Sequence, residues 1–273
     1  MQLQRNRVEK PLRKLSKQLK SFPADPLPEK VHSLRTRTRR LEATIAAVSL
    51  DREKKARRLV KRIKPLRKAA GAVRDMDVLI GDVLTVCGQG GDSAVRLVQH
   101  LSAMRVEHAR RLHHLVGRER GGIRRQLEKS SKLIRNRING KTADGGSEAA
   151  TQILITELSH WPKLEEGNLH LFRIRLKELR YMLQLHEQAD EKLVDALGEV
   201  KDIIGEWHDW LELANIAREV LDPKEDRELL NRIFDSTGQK FQIALEAANR
   251  VRARYLPVPD GRKSSRKILP IAS

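Results

Sequence analysis

The sequence predicts an all-α protein. Three observations carry this prediction. Nearly every long segment repeats its apolar residues with the 3.6-residue period of a helix. Alternating Val/Ile/Thr runs between tight turns, the mark of strands, are nearly absent. The interruptions fall at proline and glycine clusters, which end helices for local reasons.

Taken in order, the periodicity predicts nine helices, at about 5–20, 28–49, 51–86, 92–118, 121–138, 147–160, 165–188, 190–221 and 223–254. The first ends at Phe22-Pro23-Ala24-Asp25-Pro26, because a proline cannot continue a helix and disfavours helical geometry in the residue before it. Cys87-Gly88-Gln89-Gly90-Gly91 reads as a flexible turn, with Asp92 or Ser93 suited to cap the helix that follows. Residues 139–146, within Asn139-Gly140-Lys141-Thr142-Ala143-Asp144-Gly145-Gly146-Ser147, read as a linker near mid-chain. Asp222-Pro223 is expected to open the last helix. Residues 256–273 read as a flexible basic tail carrying Arg262, Lys263, Arg266 and Lys267.

Charge is the strongest compositional signal. The 273 residues include 55 Lys and Arg against 36 Asp and Glu, a formal charge of +19. Its distribution is uneven. Residues 1–70 hold 22 basic and 6 acidic side chains, whereas residues 141–273 hold 20 and 23. A field this strong in one half concentrates polyanions. The rest of the composition excludes several classes. No apolar run approaches the roughly 18–20 residues of a membrane span, so no membrane association is expected. The N-terminus lacks the apolar stretch of a signal peptide, and a cytoplasmic location is expected. The single cysteine, Cys87, can form neither an internal disulfide nor a thiolate metal cage.

The sequence also repeats internally. Residues 31–43 (VHSLRTRTRRLEA) align with residues 169–181 (LHLFRIRLKELRY). His32 then pairs with His170, Leu34 with Phe172, Arg35 with Arg173, Arg39 with Lys177 and Leu41 with Leu179. Further on, Gly71-Ala72-Val73-Arg74-Asp75 pairs with Gly205-Glu206-Trp207-His208-Asp209. Two like units around a glycine-rich linker predict two helical bundles related by a pseudo-twofold axis.

A helical projection separates chemistry from core. His32, Arg35 and Arg39 share one stripe, with Leu34, Leu41, Ile45 and Val48 on the opposite side. His170, Arg173, Lys177 and Arg180 form the matching stripe, backed by Phe172, Leu176, Leu179 and Leu183. The next helix of the first unit adds Lys61, Lys64, Lys68 and Asp75 along one face, with Arg57, Arg67 and Arg74 nearby. Gly71 lies on that face, where a missing side chain permits close approach. The corresponding face of the second unit carries Lys201, Gly205, His208 and Asp209. Like charges stacked one turn apart oppose helix formation, and an anionic ligand removes that cost. Arginine offers a planar fork to phosphate oxygens and lysine a point charge. Histidines amid so many cations are expected to titrate low and to act as neutral groups.

The repeated pattern His-x2-Arg-x3-Arg/Lys, followed by Arg74-Asp75-x-Asp77-Val78, resembles the CHAD domain, the conserved histidine α-helical domain. The resemblance spans about residues 7–254. It implies one domain over 1–254, made of repeat one at about 7–138 and repeat two at about 147–254. It further implies two four-helix bundles around a basic central groove or pore, binding of inorganic polyphosphate, and association with polyphosphate granules. Carried over by position, the ligand-facing residues are His32, Arg35, Arg39 and Arg40, with Lys64, Arg67 and Arg74 behind them. In the second copy they are His170, Arg173, Lys177, Arg180 and Tyr181. The charge imbalance leads us to expect the first bundle to dominate affinity.

Catalysis is not expected. Asp75 and Asp77 form an Asp-x-Asp, but side chains two apart on a helix diverge by about 200° and do not chelate one ion. Asp75 and Asp209 read instead as partners that orient arginines. His108, His113 and His114 lack metal spacing and read as surface residues. There is no phosphate-cradling glycine loop and no nucleophile elbow, and no cofactor or metal is expected. Nucleic-acid binding is the second reading. It is weakened by the scarcity of stacking aromatics, with only Tyr181, Trp207 and Trp210 near a basic stripe and both tryptophans at core spacing.

Overall fold

Leucine, isoleucine, valine and alanine at helical spacing, with charged residues between them, leave the chain one way to bury its apolar area: helix against helix. The structure, a computed structural model, describes residues 5–47, 50, 53–86, 91–139, 143–184 and 189–256. The described residues form eight helices and no strand. These are α1 (Arg5–Lys20), α2 (Pro28–Ala47), α3 (Lys54–Val86), α4 (Asp92–Asn139), α5 (Ala143–Ser159), α6 (Glu166–Leu183), α7 (Glu191–Val220) and α8 (Arg227–Tyr255).

Their apolar faces meet in three buried clusters. The first joins α1, α2, the first half of α3 and the second half of α4, around Leu15, Leu34, Leu59, Ile63, Leu112 and Ile123. The second joins α5, α6, the first half of α7 and the second half of α8, around Leu158, Phe172, Leu176, Leu197, Trp207 and Ala248. The third lies where the remaining halves of α3, α4, α7 and α8 meet, and contains Leu79, Val83, Leu97, Trp210, Leu213 and Ile233. The four long helices therefore each serve two cores. Between the halves of the chain, α2 also packs on α6 and α3 on α7.

The expected stripes divide as the projection requires. Leu34, Leu41 and Ile45 are buried in α2, and Phe172, Leu176, Leu179 and Leu183 in α6. Val48 lies outside the described residues. Trp207 and Trp210 are core residues, 1% and 4% exposed, and offer no stacking platform.

Several helix boundaries differ from the periodicity. The expected break at 118–121 does not occur: α4 runs unbroken through Gly121-Gly122. Glycine inside a helix costs only about 1 kcal/mol relative to alanine. Burial of Ile123 and Leu127 against the first core outweighs it. Gly122 also admits the guanidinium of Arg62, which a Cβ there would displace. Helix α5 begins at Ala143, inside the segment read as a linker. Helix α8 begins at Arg227, because Asp222 accepts hydrogen bonds from the backbone N–H groups of Lys224 and Glu225 and holds 222–226 as a turn. Ser93 does not cap α4; its hydroxyl hydrogen-bonds Asp226, which also accepts from Arg96. Cys87 and residues 257–273, most of the expected tail, lie outside the described residues.

One polar anchor fixes the start of the basic stripe. Arg105 on α4 donates from Nε to Asp77 of α3 at 2.7 Å and from Nη2 to the Pro26 carbonyl at 2.9 Å. This ties the α1–α2 connection, and so the entry of α2, to the α3–α4 pair.

Candidate functional site

The face of α2 opposite its leucines and the matching face of α6 border one cleft of about 740 Å³, completed by α3, α7 and His108 of α4. Nine sequence-predicted residues line it. His32, Arg35, Arg39 and Arg74 come from the first half of the chain, and His170, Arg173, Lys177, Tyr181 and Lys201 from the second. Three Arg or Lys side chains thus come from each half. The expected dominance of the first half has no counterpart in the lining.

The two walls differ in charge. The α2 and α6 side contributes His32, Arg35, Arg39, His170, Arg173 and Lys177, with no carboxylate. The α3 and α7 side is mixed. Arg74 and Lys201 stand there among Asp75, Asp82, Asp202, Glu206, Asp209 and Glu212. Lys201 pairs with Asp202. Glu206 pairs with Lys240. Burial, then Asp209 and Glu206, push the Asp82 carboxyl up to about 6.

The arginines are held by backbone. Arg173 donates from Nε to the Lys201 carbonyl at 3.0 Å, and its guanidinium lies against Gly205, where a Cβ would collide with it. One helical stretch away, Arg180 donates from Nε to the Val194 carbonyl at 3.1 Å and crosses Gly198. In the first half, Arg35 passes Gly71 with Nε 3.6 Å from where a Cβ would sit, and its Nη2 lies 3.7 Å from Asp75. In both aligned pairs, Arg35/Gly71 and Arg173/Gly205, an arginine passes a glycine, at ordinary contact distance at Gly71 and more closely at Gly205. Asp209 is the counterpart of Asp75; burial raises its pKa, and Arg173 is the strongest opposing charge.

The centre of the basic wall is Lys177, only 8% exposed. Burial first, then Arg173, Arg39, Arg35 and Lys201, bring its amine down to about 5. Arg39 is lowered to about 10 by burial and then by Arg35, and its Nε is buried without a hydrogen-bond partner. His170 and His208 both fall to about 4, with burial as the first cause. His32 is lowered too, by burial before Arg74 and Arg35. The histidines are low as expected, but burial contributes more than the neighbouring cations on which the expectation rested.

Six predicted residues stand elsewhere. Arg40 is exposed on α2 beside His32. Arg180 is committed to the α7 backbone. Lys61, Lys64 and Arg67 line a separate groove between α2 and α3, where Arg67 pairs with Glu42 at 2.8 Å. Lys68 is exposed and outside the cleft lining. The reason is length. Sharing a helix face does not bring residues together, and 14 residues from Lys61 to Asp75 span about 21 Å at 1.5 Å each.

Conversely, His108 lines the cleft although it read as a surface histidine, and Asp82, Glu206 and Glu212 were not singled out. No local pattern marks them, because their proximity arises from the packing of α3, α4 and α7. Asp77 diverges from Asp75 as the helical angle requires, 6% exposed against Arg105. His113 donates from Nδ1 to the Pro23 carbonyl at 3.1 Å. Among the described residues, no three His, Cys, Asp or Glu side chains are arranged to hold a metal ion, and no helix is long and apolar enough to cross a membrane.

The same cleft-forming segments lie within residues 6–218, which match the family model described as the CHAD domain. The chain belongs to the CHAD domain family. The fold agrees. A solved structure, the crystal structure of the CHAD domain from the plant Ricinus communis, superposes with a TM-score of 0.67 at 16% identity, covering 90% of this chain and 89% of that one. No curated protein matches the chain. The matched region of this CHAD domain contains every Arg, Lys and His of the cleft.

Proposed function

We propose that this CHAD domain binds inorganic polyphosphate in the cleft between α2, α3, α6 and α7, without catalysis. In this reading the two halves of the chain are two four-helix units related by a pseudo-twofold axis, and the cleft is their shared basic groove. The protein works in the cytoplasm, at polyphosphate granules.

The observation that carries the reading is the Lys177 cluster. The residue is 8% exposed among Arg35, Arg39, Arg173 and Lys201, and among the described residues no carboxylate forms an ion pair with it. The guanidinium groups gathered around this amine repel one another in the empty cleft, and a bound anion relieves that cost. A ligand with charge on every repeat and no bases suits a wall of guanidinium forks in which Tyr181 is the single Phe, Tyr or Trp. The carboxylates Asp82, Glu206 and Glu212 repel such a chain and steer it along the α2 and α6 wall.

The test is competition. Labelled long-chain polyphosphate is bound at about physiological salt, then challenged with single-stranded DNA, RNA and duplex DNA at matched phosphate concentration. Failure of nucleic acid to displace it in large excess supports the proposal. Displacement at equal phosphate makes the cleft a general polyanion surface and puts nucleic-acid binding first. Affinity is expected to fall steeply with salt, because each phosphate engaged releases counterions.

A further inference from the structure

Lys177 has a second property that phosphate binding does not use. It lines a cleft large enough for a small metabolite, and Tyr181 and Ile174 line the same space on α6. The charged groups facing it from α2 are Arg35 and Arg39. From α6 they are His170 and Arg173, and from α7 Lys201, His208 and Asp209. Arg74 and Asp75 of α3 close the same cleft. An amine in this setting is surrounded by fixed phosphate-binding groups, and among the described residues none of the cleft carboxylates forms an ion pair with it.

From this geometry we propose that Lys177 is a modification site, acylated by small acyl phosphates drawn into the cleft. The phosphoryl end of the reagent seats on Arg35, Arg39 and Arg173. The Nζ lone pair attacks the carbonyl carbon. The carbon–oxygen bond to phosphate breaks, inorganic phosphate leaves with the bonding electrons, and the amine proton passes to it. The products are an amide on Lys177 and hydrogen phosphate, with no oxidant or metal required. The same arginines that position the reagent stabilise the charge that grows on the departing phosphate.

Magnitudes decide whether such a site stands out. An ordinary exposed lysine, with pKa ~10.4, is only about 0.1% neutral at pH 7.5. Lys177, brought down to about 5, is almost wholly neutral. That is about a thousandfold more free amine. Lower basicity weakens the nucleophile; a Brønsted slope of about 0.4–0.5, as for thiols, removes roughly 150- to 500-fold. About two- to five-fold selectivity remains, and the arginines add positioning to it. Acylation fixes the side chain uncharged and fills the cleft with the acyl group, so it opposes polyanion binding.

The full-length protein is incubated with acetyl phosphate, and acetylation at each lysine is followed by peptide mass spectrometry. The exposed Lys20, Lys129 and Lys224 serve as references. Lys177 is expected to react several-fold faster at pH 7.5 and to keep its rate down to pH 6, whereas an ordinary exposed lysine slows about tenfold per pH unit. An Arg39→Gln variant with an unchanged melting curve is expected to lose most of that advantage. A Lys177 rate no higher than the references, or one that falls with them as pH drops, overturns the proposal. Inorganic polyphosphate is then added. Suppression of the Lys177 reaction supports a shared cleft. Selective labelling that polyphosphate does not slow leaves acylation standing and overturns the polyphosphate reading instead.

Discussion

The imidazole rings of His170 and His208 lie 4.0 Å apart, centroid to centroid, at an interplanar angle of 36°. Two histidines this close, beside Arg173 and Lys177, cannot both carry a proton cheaply. Each is lowered from its ordinary value to about 4, by burial first. Because the folded pKa lies below the unfolded one, the unfolded chain binds protons first as pH falls. Stability contributed by the neutral pair is complete above about pH 7 and is lost between about 6.5 and 4, on the order of 4 kcal/mol in all. Urea unfolding at pH 7 and pH 4.5 measures this, with a His170→Gln, His208→Gln double variant as reference. A pair that titrates near pH 6.5 by NMR contradicts the expectation.

Lys177 carries the same sign over a higher range. Its folded amine is near 5, far below the value in the unfolded chain, so its contribution rises with pH from about 5 to about 10. At pH 7 the residue destabilises the empty protein. Lys177→Met, which keeps the length of the side chain and removes the amine, is expected to raise stability by on the order of 2–4 kcal/mol while weakening polyanion binding. A lower melting temperature for this variant contradicts the burial of an unbalanced amine.

The glycines opposite the two aligned arginines should respond differently to alanine. At Gly71 the nearest side-chain atom is 3.6 Å from the new Cβ, an ordinary contact, so Gly71→Ala is expected to add about 0.5–1 kcal/mol from helix propensity. At Gly205 the Cβ meets the Arg173 guanidinium, which must leave the Lys201 carbonyl. Gly205→Ala is expected to change stability by less than about 1 kcal/mol, since the propensity gain offsets the lost hydrogen bond, yet to weaken polyphosphate several-fold. Equal affinities for the two variants would falsify the role given to Arg173.

Arg105 is the structural counterpart to these functional arginines. Asp77, 6% exposed, has it at 2.7 Å. Arg105→Ala leaves a buried carboxylate without its cation and is expected to cost about 3 kcal/mol. Adding Asp77→Asn should recover part of that loss. A double variant no more stable than the single one shows that the backbone bond to Pro26 carries the effect.

Periodicity and repeats determined much of this protein before any packing was known. The helical class, seven of the eight helix spans to within a few residues, the burial of Leu34 and Phe172, and the outward stripe of His32, Arg35, His170, Arg173 and Lys177 all follow from angles about a single helix. Tertiary structure decided the rest. It carried α4 through Gly121-Gly122, because apolar burial across helices outweighs a local propensity loss. It left Lys61, Lys64 and Lys68 out of the cleft that admits Arg74, because distance along an axis does not show in an angular projection. It brought His108, Asp82 and Glu206 in from three helices, and it made burial the main cause of the low histidines and of Lys177. Desolvation depends on everything packed around a group, and no single segment of sequence contains that information.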